Sequence, residues 1–339
     1  MISVIVKDKY KTSPKIRVAF VCYSPNASFI RNDYKILSKH FNVDKFNYRR
    51  AWDAFRMMAA IWRSGVSFSW FAGGHAFLAV LFSKILRKKA IVVAGGFDVA
   101  YVPEINYGQF TLGWHKKMLT RFALKHADLV LVVDPSLKED AMENAKISGE
   151  NIDYLPTGYD PNYWRSNGKK EDIVLTIGGI DESVIKRKGF ETFVKAAKHL
   201  PNVKFVLVGK YVDTSVNHLR SIATSNVEFT GFVSDEELLE WYQKARVYCQ
   251  LSRYEGLPNA LCEAMLCECV PVGTKYCGIP TAIGDCGFYV PYGDPEATAD
   301  AIKDALNSPE ELGKKARKRI KNTFPLEKRE RGLIQAISR

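Results

Sequence analysis

Residues 252–265 read Ser252-Arg253-Tyr254-Glu255-Gly256-Leu257-Pro258-Asn259-Ala260-Leu261-Cys262-Glu263-Ala264-Met265. Two carboxylates, Glu255 and Glu263, stand with seven residues between them. The run before them, Val247-Tyr248-Cys249-Gln250-Leu251, is apolar and has strand character. Gly256 loosens the backbone, and Pro258 suits the first turn of a helix, where its missing N–H is no loss. From Asn259 onward Ala260, Leu261, Ala264 and Met265 recur at helical spacing. The stretch therefore predicts a strand, a loop and a helix, with Glu255 at the helix mouth and Glu263 on its first turns. A helix N-terminus that faces a cleft offers free N–H groups and partial positive charge, which suits an anionic ligand such as a nucleotide diphosphate. The plainer alternative is a solvated Glu at a helix start and an ordinary helix Glu.

Outward from this stretch the same alternation recurs. Upstream, strands are expected at Ile16–Cys22, Phe41–Phe46, Ser67–Phe71, Ala90–Ala94, Asp128–Val133 and Ile152–Leu155. Helical patterns lie between them, at Phe29–His40, Trp52–Ile61, Ala76–Leu86 and Gly113–His126. After a linker marked by Gly168-Lys169-Lys170 come strands at Ile173–Ile177, Lys204–Val208, Val227–Phe229, Val247–Leu251 and Val270–Gly273. Strands alternating with helices predict an α/β fold with parallel sheets. In such sheets ligands bind at the carboxyl ends of strands, so Gly95-Gly96-Phe97-Asp98 and His75 are expected to face the cleft. Lys186-Arg187-Lys188-Gly189 reads as a basic loop ahead of a helix bearing Phe190, Phe193, Val194, Ala197 and Leu200 on one face.

A chain of 339 residues is long enough for two domains. A hydrophobic fraction of 47% lets it bury sizeable cores. The formal charge of +12 is uneven: residues 1–165 carry +10 and residues 166–339 carry +2. A basic first half suggests an anionic partner there, either a membrane surface or nucleic acid; the plainer alternative is a solvated basic face with no partner. No zinc finger, RNA-binding signature or aromatic–basic repeat supports nucleic acid. In Gly113–His126, Lys117, Arg121 and Lys125 recur beside Trp114, Met118 and Phe122, a helix suited to anionic lipid or to an ordinary surface. The seven cysteines are odd in number and form no Cys-x-x-Cys pair, which argues for a reducing, cytoplasmic setting and against zinc. Residues 1–17 mix Lys, Asp and Pro, so no signal peptide is expected. The uncharged run Gly65–Phe82 reaches the lower bound for a membrane span. Gly73-Gly74-His75 breaks it, and a strand, a glycine turn and a buried helix are expected instead.

The wording Ser-x-x-Glu-Gly-x-Pro-Asn-x-x-x-Glu-Ala-Met resembles the Glu-x7-Glu motif of the retaining GT-B glycosyltransferases, family 4 group (glycosyl transferases group 1), whose two Rossmann-like domains face a cleft. The resemblance is strong from 173 to 291 and weak before 90. It implies a first, acceptor-binding domain over 1–165 and a nucleotide-sugar-binding domain over 170–322. A last helix over 323–339 would cross back to the first. Pro156-Thr157-Gly158-Tyr159-Asp160 resembles the family's segment entering the hinge. Lys188 matches the Lys that pairs with the donor diphosphate; backbone N–H groups near Leu257–Asn259 are expected to aid it, and Gly256, Leu257, Pro258 and Asn259 together form the expected donor-binding loop. Glu263 would accept from the ribose hydroxyls, and Glu255 would face the sugar. Gly178, Gly179 and Gly209, at strand ends, would line the donor site. No Asp-x-Asp pair stands at a strand end, so neither metal nor cofactor is implied beyond the nucleotide-sugar substrate.

Four departures stand out. Asn26-Ala27-Ser28-Phe29 replaces the family's Gly-Gly loop. Gly95 replaces a His near the transferred sugar, so Asp98 or His75 is expected to substitute; alternatively Asp98 caps a turn and His75 is a core histidine. Gly179 replaces an Arg that would partner Lys188, with Lys186 or Arg187 as compensation. Cys277 and Thr281 stand in the Gly-Gly-x-Pro-Glu loop. The resemblance implies transfer from a UDP- or GDP-sugar to a glycan or lipid-linked acceptor, at or near a membrane. A sugar-nucleotide epimerase and a non-catalytic nucleotide-sugar-binding protein are the alternatives; donor sugar, base and oligomeric state are left open.

Overall fold

The computed structural model describes residues 16–23, 27–48 and 52–339. Asn26, and with it part of the loop noted above, lies outside the described residues. The first sheet holds β1 (Arg17–Cys22), β2 (Asn42–Asn47), β3 (Val66–Trp70), β4 (Lys89–Ala94), β5 (Leu129–Val132) and β6 (Ile152–Tyr154). The second holds β7 (Glu171–Ile177), β8 (Lys204–Val208), β9 (Val227–Gly231), β10 (Ala245–Gln250), β11 (Val270–Gly273) and β12 (Phe288–Tyr289). Their orders are β2-β1-β3-β4-β5-β6 and β12-β11-β10-β7-β8-β9, and every pairing is parallel. Helices connect successive strands and cover the sheets, which is why Val18–Cys22 and Ala90–Ala94 are buried end to end rather than alternating. In each sheet the winding direction reverses once, between β1 and β3 and between β7 and β10. Those reversals open a crevice at the strand carboxyl ends.

Most predicted elements fall within two residues of their observed bounds. The uncharged run forms β3 and the helix Gly74–Ile85. Among the described residues no helix is long and apolar enough to cross a membrane. Three expectations need correction. Lys186-Arg187-Lys188 is not a loop: it forms the last turn of a short helix, Glu182–Lys188, capped by the Asp181 side chain accepting from the Val184 N–H. Pro258 precedes the helix Asn259–Leu266 rather than sitting inside its first turn. The helices Val216–Ile222 and Pro295–Asn307 have no counterpart among the expected elements.

The final helix, Leu326–Ser338, returns to the first sheet's side. There Arg329 reaches Asp33 through two hydrogen bonds, Nε to Oδ1 at 3.0 Å and Nη2 to Oδ2 at 2.6 Å. Trp70 Nε1 donates to the same carboxylate at 2.9 Å, and Arg329 also donates to the Leu155 carbonyl at 2.7 Å. Both charged side chains are buried. Removing one partner from such a pair strands the other charge and costs about 3–5 kcal/mol. The two halves are thus tied at the back of the crevice as well as by the chain crossing at 155–170.

Candidate active site

Two adjoining hollows lie between the halves. One, of about 320 Å³, is walled by Tyr23, Phe71 and Tyr107 from the first half and by Arg187, Lys188 and Glu255 from the second. The other, of about 460 Å³, is walled by Arg31, Lys35, Tyr163, Asp235, Leu238 and Glu263. Phe29, Thr157 and Asn259 line both, so the hollows run on from one to the other past the start of the Asn259–Leu266 helix. That helix has no side-chain cap, and Gly256–Ala260 form part of the smaller hollow's wall. Its first N–H groups are the kind that bind anions. Tyr159, in the crossing segment, donates to Asn259 Oδ1 at 2.8 Å and ties the helix start to the hinge.

Glu255 sits on the loop after β10, with four donors on one oxygen. Its Oε1 accepts from Arg187 Nη1 at 2.7 Å, Lys188 Nζ at 3.1 Å, Ser252 Oγ at 3.0 Å and Gln250 Nε2 at 3.2 Å. Burial alone would push this carboxyl up. The charges of Arg187 and Lys188, with hydrogen bonds from Lys188 and Ser252, outweigh it and hold the pKa down at about 2. Burial works on Lys188 in the other direction and lowers it, with Glu255 opposing. Arg187 also lies over the Tyr107 ring, 5.1 Å from its centroid, across the gap between halves.

Glu263 faces the larger hollow with little around it to favour charge. Burial raises its pKa to about 8; the one hydrogen bond opposing this comes from Tyr242 OH to Oε2 at 3.2 Å. Close by, Arg31 and Asp235 pair across the halves at 3.1 Å.

The two halves touch backbone to backbone beside Glu255. A Cβ on Gly256 would fall 2.3 Å from the Gly95 carbonyl oxygen, so no side chain fits at this approach. Ion pairing of Arg253 with Glu104 and a hydrogen bond from Tyr254 OH to Asp140 flank the contact.

Of the residues singled out from sequence, Arg187, Lys188, Glu255, Gly256, Leu257, Pro258 and Asn259 share the smaller hollow, and Glu263 lines the larger. Lys186 turns outward and pairs with Glu182 at 3.1 Å, so Arg187 is the cation brought beside Lys188. Gly178, Gly179 and Gly209 line neither hollow. They stand behind the site: a Cβ on Gly178 would strike the Lys188 stem at 2.7 Å, and one on Gly209 would strike the Gly178 carbonyl at 1.8 Å. Asp98 does not face the hollow either. It is buried and accepts from the backbone N–H groups of Ala72 at 2.9 Å, Gly95 at 3.0 Å and Gly96 at 2.9 Å, holding the ends of β3 and β4 in place. His75 is a core histidine, its Nε2 2.6 Å from the Trp70 carbonyl, with burial keeping its pKa low. Tyr23, Phe71, Tyr107, Arg31 and Asp235 are not legible as site residues in the sequence because they lie on loops and helix ends with no periodic signal. Gln250 and Ser252 are legible in principle, being polar residues that end an apolar strand just before Glu255. Among the described residues no group of three or more His, Cys, Asp or Glu gathers closely enough to hold a metal ion.

Comparison with known proteins bears on the family resemblance and the fold. Residues 171–308 match the family model described as Glycosyl transferases group 1. A phosphatidylinositol N-acetylglucosaminyltransferase component from Arabidopsis thaliana is 22% identical, over 90% of this chain and 78% of its own length. A Campylobacter jejuni alpha-1,4-N-acetyl-D-galactosaminyltransferase, named for an undecaprenol-diphosphate-linked acceptor, is 31% identical over 46% of this chain and 45% of its own. The crystal structure of Anabaena Alr3699/HepE in complex with UDP superposes with a TM-score of 0.78 at 15% identity, covering 95% of this chain and 100% of that one. At that identity the likeness speaks for the fold. Residues 171–308 thus resemble the glycosyl transferases group 1, and the chain as a whole has the GT-B fold of known glycosyltransferases.

Proposed function

We propose that the chain is a retaining, metal-independent glycosyltransferase that moves a sugar from a UDP- or GDP-sugar to a glycan or lipid-linked acceptor on the cytoplasmic face of a membrane. Residues 1–165 would bind the acceptor, 170–322 the donor, and 323–339 would strap the two. The observation that carries this reading is the convergence of Lys188 and Arg187 on Glu255 beside an uncapped helix mouth. Two cations and free N–H groups in a closed hollow stabilise the charge that grows on a leaving diphosphate. Arg187 fills the place of the Arg that Gly179 lacks.

In this reading the diphosphate sits between Lys188, Arg187 and the helix start. The nucleoside extends into the larger hollow, with Glu263 accepting from the ribose hydroxyls, and the sugar lies near Glu255. With four donors on its Oε1, Glu255 is a poor nucleophile and a good anchor for the two cations. The C1–O bond to phosphate breaks and the acceptor oxygen bonds to C1 from the same face. The acceptor's proton passes to the departing diphosphate oxygen. The Gly95–Gly256 approach and the Arg187–Tyr107 contact bring the halves together beside Glu255, and closure on a bound donor would exclude water from the reacting centre. The UDP-bound neighbour and the lipid-linked acceptor named for the Campylobacter relative support the two substrate classes.

Thermal unfolding with a panel of nucleotide sugars tests the donor, since a ligand bound to the folded state raises its stability by mass action. A UDP- or GDP-sugar is expected to raise Tm. No shift with either at saturation would overturn the reading. Transfer to an added acceptor, rather than isomerisation of the donor, separates it from an epimerase.

A further inference from the structure

The helix Asp53–Trp62 is built the wrong way round for a helix facing water. Its inner side buries Met57, Ala60 and Ile61 against the first sheet. Its outer stripe should then be polar. Instead Trp52, Phe55 and Trp62 are 80%, 69% and 66% exposed, with Met58 and Ala59 also exposed between them. Spacings of three, four and seven place Trp52, Phe55, Ala59 and Trp62 on one line, and Arg56 and Arg63 edge it.

The patch extends sideways. The helix Gly74–Ile85 packs against Asp53–Trp62 on one side and Trp114–His126 on the other, making one layer. Ile85, Trp114 and Met118 are exposed on these neighbours. Across the three helices the charged residues are Arg56, Lys84, Lys116, Lys117, Arg121 and Lys125 against one acid, Asp53. At the next helix, Ser136–Ala145, the balance turns over: Glu139, Asp140 and Glu143 outnumber Lys138. Apolar aromatics and positive charge therefore coincide on one face and stop together.

We infer that this face, led by Trp52, Phe55 and Trp62, docks on an anionic lipid bilayer. The aromatic rings would enter the headgroup boundary, and the arginines and lysines would pair with lipid phosphates. Charge sets this partner apart from a second copy of the chain, because two copies of so basic a face repel. Parallel winding starts each of these helices at the crevice end of its strand. Trp52 and Trp114 thus mark the edge of the face nearest the active site, where a lipid-linked acceptor would arrive. The inference deepens the acceptor reading above, but its test needs no turnover.

Flotation of the full chain with vesicles of phosphatidylcholine, alone or mixed with phosphatidylglycerol, provides that test. Binding is expected only to the mixed vesicles and is expected to weaken as salt rises. The double variant Phe55→Glu/Trp62→Glu should lose at least about tenfold in partitioning, with its Tm and its UDP-induced thermal shift unchanged. A UDP shift retained while vesicle binding is lost separates this inference from the donor reading. Should that variant unfold, Arg56→Glu/Arg63→Glu is expected to give the same loss. No binding to mixed vesicles at low salt overturns the inference. So does binding that survives the folded variant, or sedimentation showing that these substitutions split a dimer.

Discussion

Glu255 and Glu263 lie on one short segment, both buried, and yet they are held in opposite states. Glu255 has two cations and two neutral donors within 3.2 Å of one oxygen, and its pKa is held at about 2. Glu263 has one tyrosine hydroxyl and is pushed up to about 8. The same residue type, eight positions apart, is an anion in one hollow and an acid in the next. What differs is supply of positive charge: the smaller hollow carries its own, and the larger waits for hydroxyl donors. In the proposed reading the smaller hollow is arranged for the leaving group's charge and the larger for recognition.

Lys188→Ala tests the first half of that contrast and should have the largest effect. Loss of one preorganised donor to developing charge lowers kcat by about 10²–10³. The donor's KM should move far less, because the interaction strengthens in the transition state. Steady-state kinetics on a folded variant check it; a KM effect with kcat intact would reassign Lys188 to simple binding.

How far the sequence reaches follows the same contrast. Strand and helix patterns are legible because both sheets are fully covered, so their strands are continuous apolar runs. That Lys188 and Glu255 share one hollow can be expected because a recognisable motif surrounds each residue, whereas their direct pairing is seen only in the structure. Asp98 and His75 cannot be placed, since a polar residue at a strand end reads alike whether it faces a ligand or ties down a loop. Only the Ala72, Gly95 and Gly96 N–H groups on Asp98 decide that. Arg187 and Lys186 are indistinguishable until the Glu182–Lys188 helix sets one inward and the other outward. The aromatic stripe of Trp52–Trp62 reads as an ordinary apolar helix because periodicity reports how many faces are apolar, not which one is covered.

Stability against pH is the next largest effect, and the two acids contribute with opposite sign. Glu255, depressed below its unfolded value of about 4.3, adds stability that is present above that value and lost as pH falls through about 2. Glu263, raised above its unfolded value, makes the folded state hold a proton that the unfolded chain releases. Stability therefore falls as pH climbs from about 4.3 toward 8, by up to about 1.4 kcal/mol per pH unit. Glu263→Gln removes that falling limb. Without ligand the variant should be more stable than the parent at pH 8 by about 2–4 kcal/mol, the gap closing by pH 4.5. Denaturant titrations across that range check it. An equal gap at every pH would mean that Glu263 is already ionised in the empty site.

A smaller consequence concerns the donor itself. If Glu263 must ionise to accept two ribose hydroxyls, donor binding releases a proton, and the donor's Kd should fall as pH rises toward 8. Glu263→Gln should flatten this dependence and weaken UDP by about tenfold at pH 8, the loss of a charged acceptor. Calorimetry in buffers of different ionisation enthalpy reads the proton directly. Binding with no proton release would break the contrast at its second half.

The smallest effect should come from Tyr242→Phe. The Tyr242 hydroxyl, which donates to Glu263 at 3.2 Å, is the hydrogen bond that lowers this acid against burial. Without it the Glu263 pKa moves further up, and the pH dependence of UDP binding moves with it to higher pH. Binding at pH 7 then weakens by roughly two- to threefold, as expected for one neutral hydrogen bond, while binding well above pH 8 stays near the parent's. That crossing of the two profiles distinguishes loss of a proton-tuning hydroxyl from loss of packing, because a packing defect would weaken binding equally at every pH.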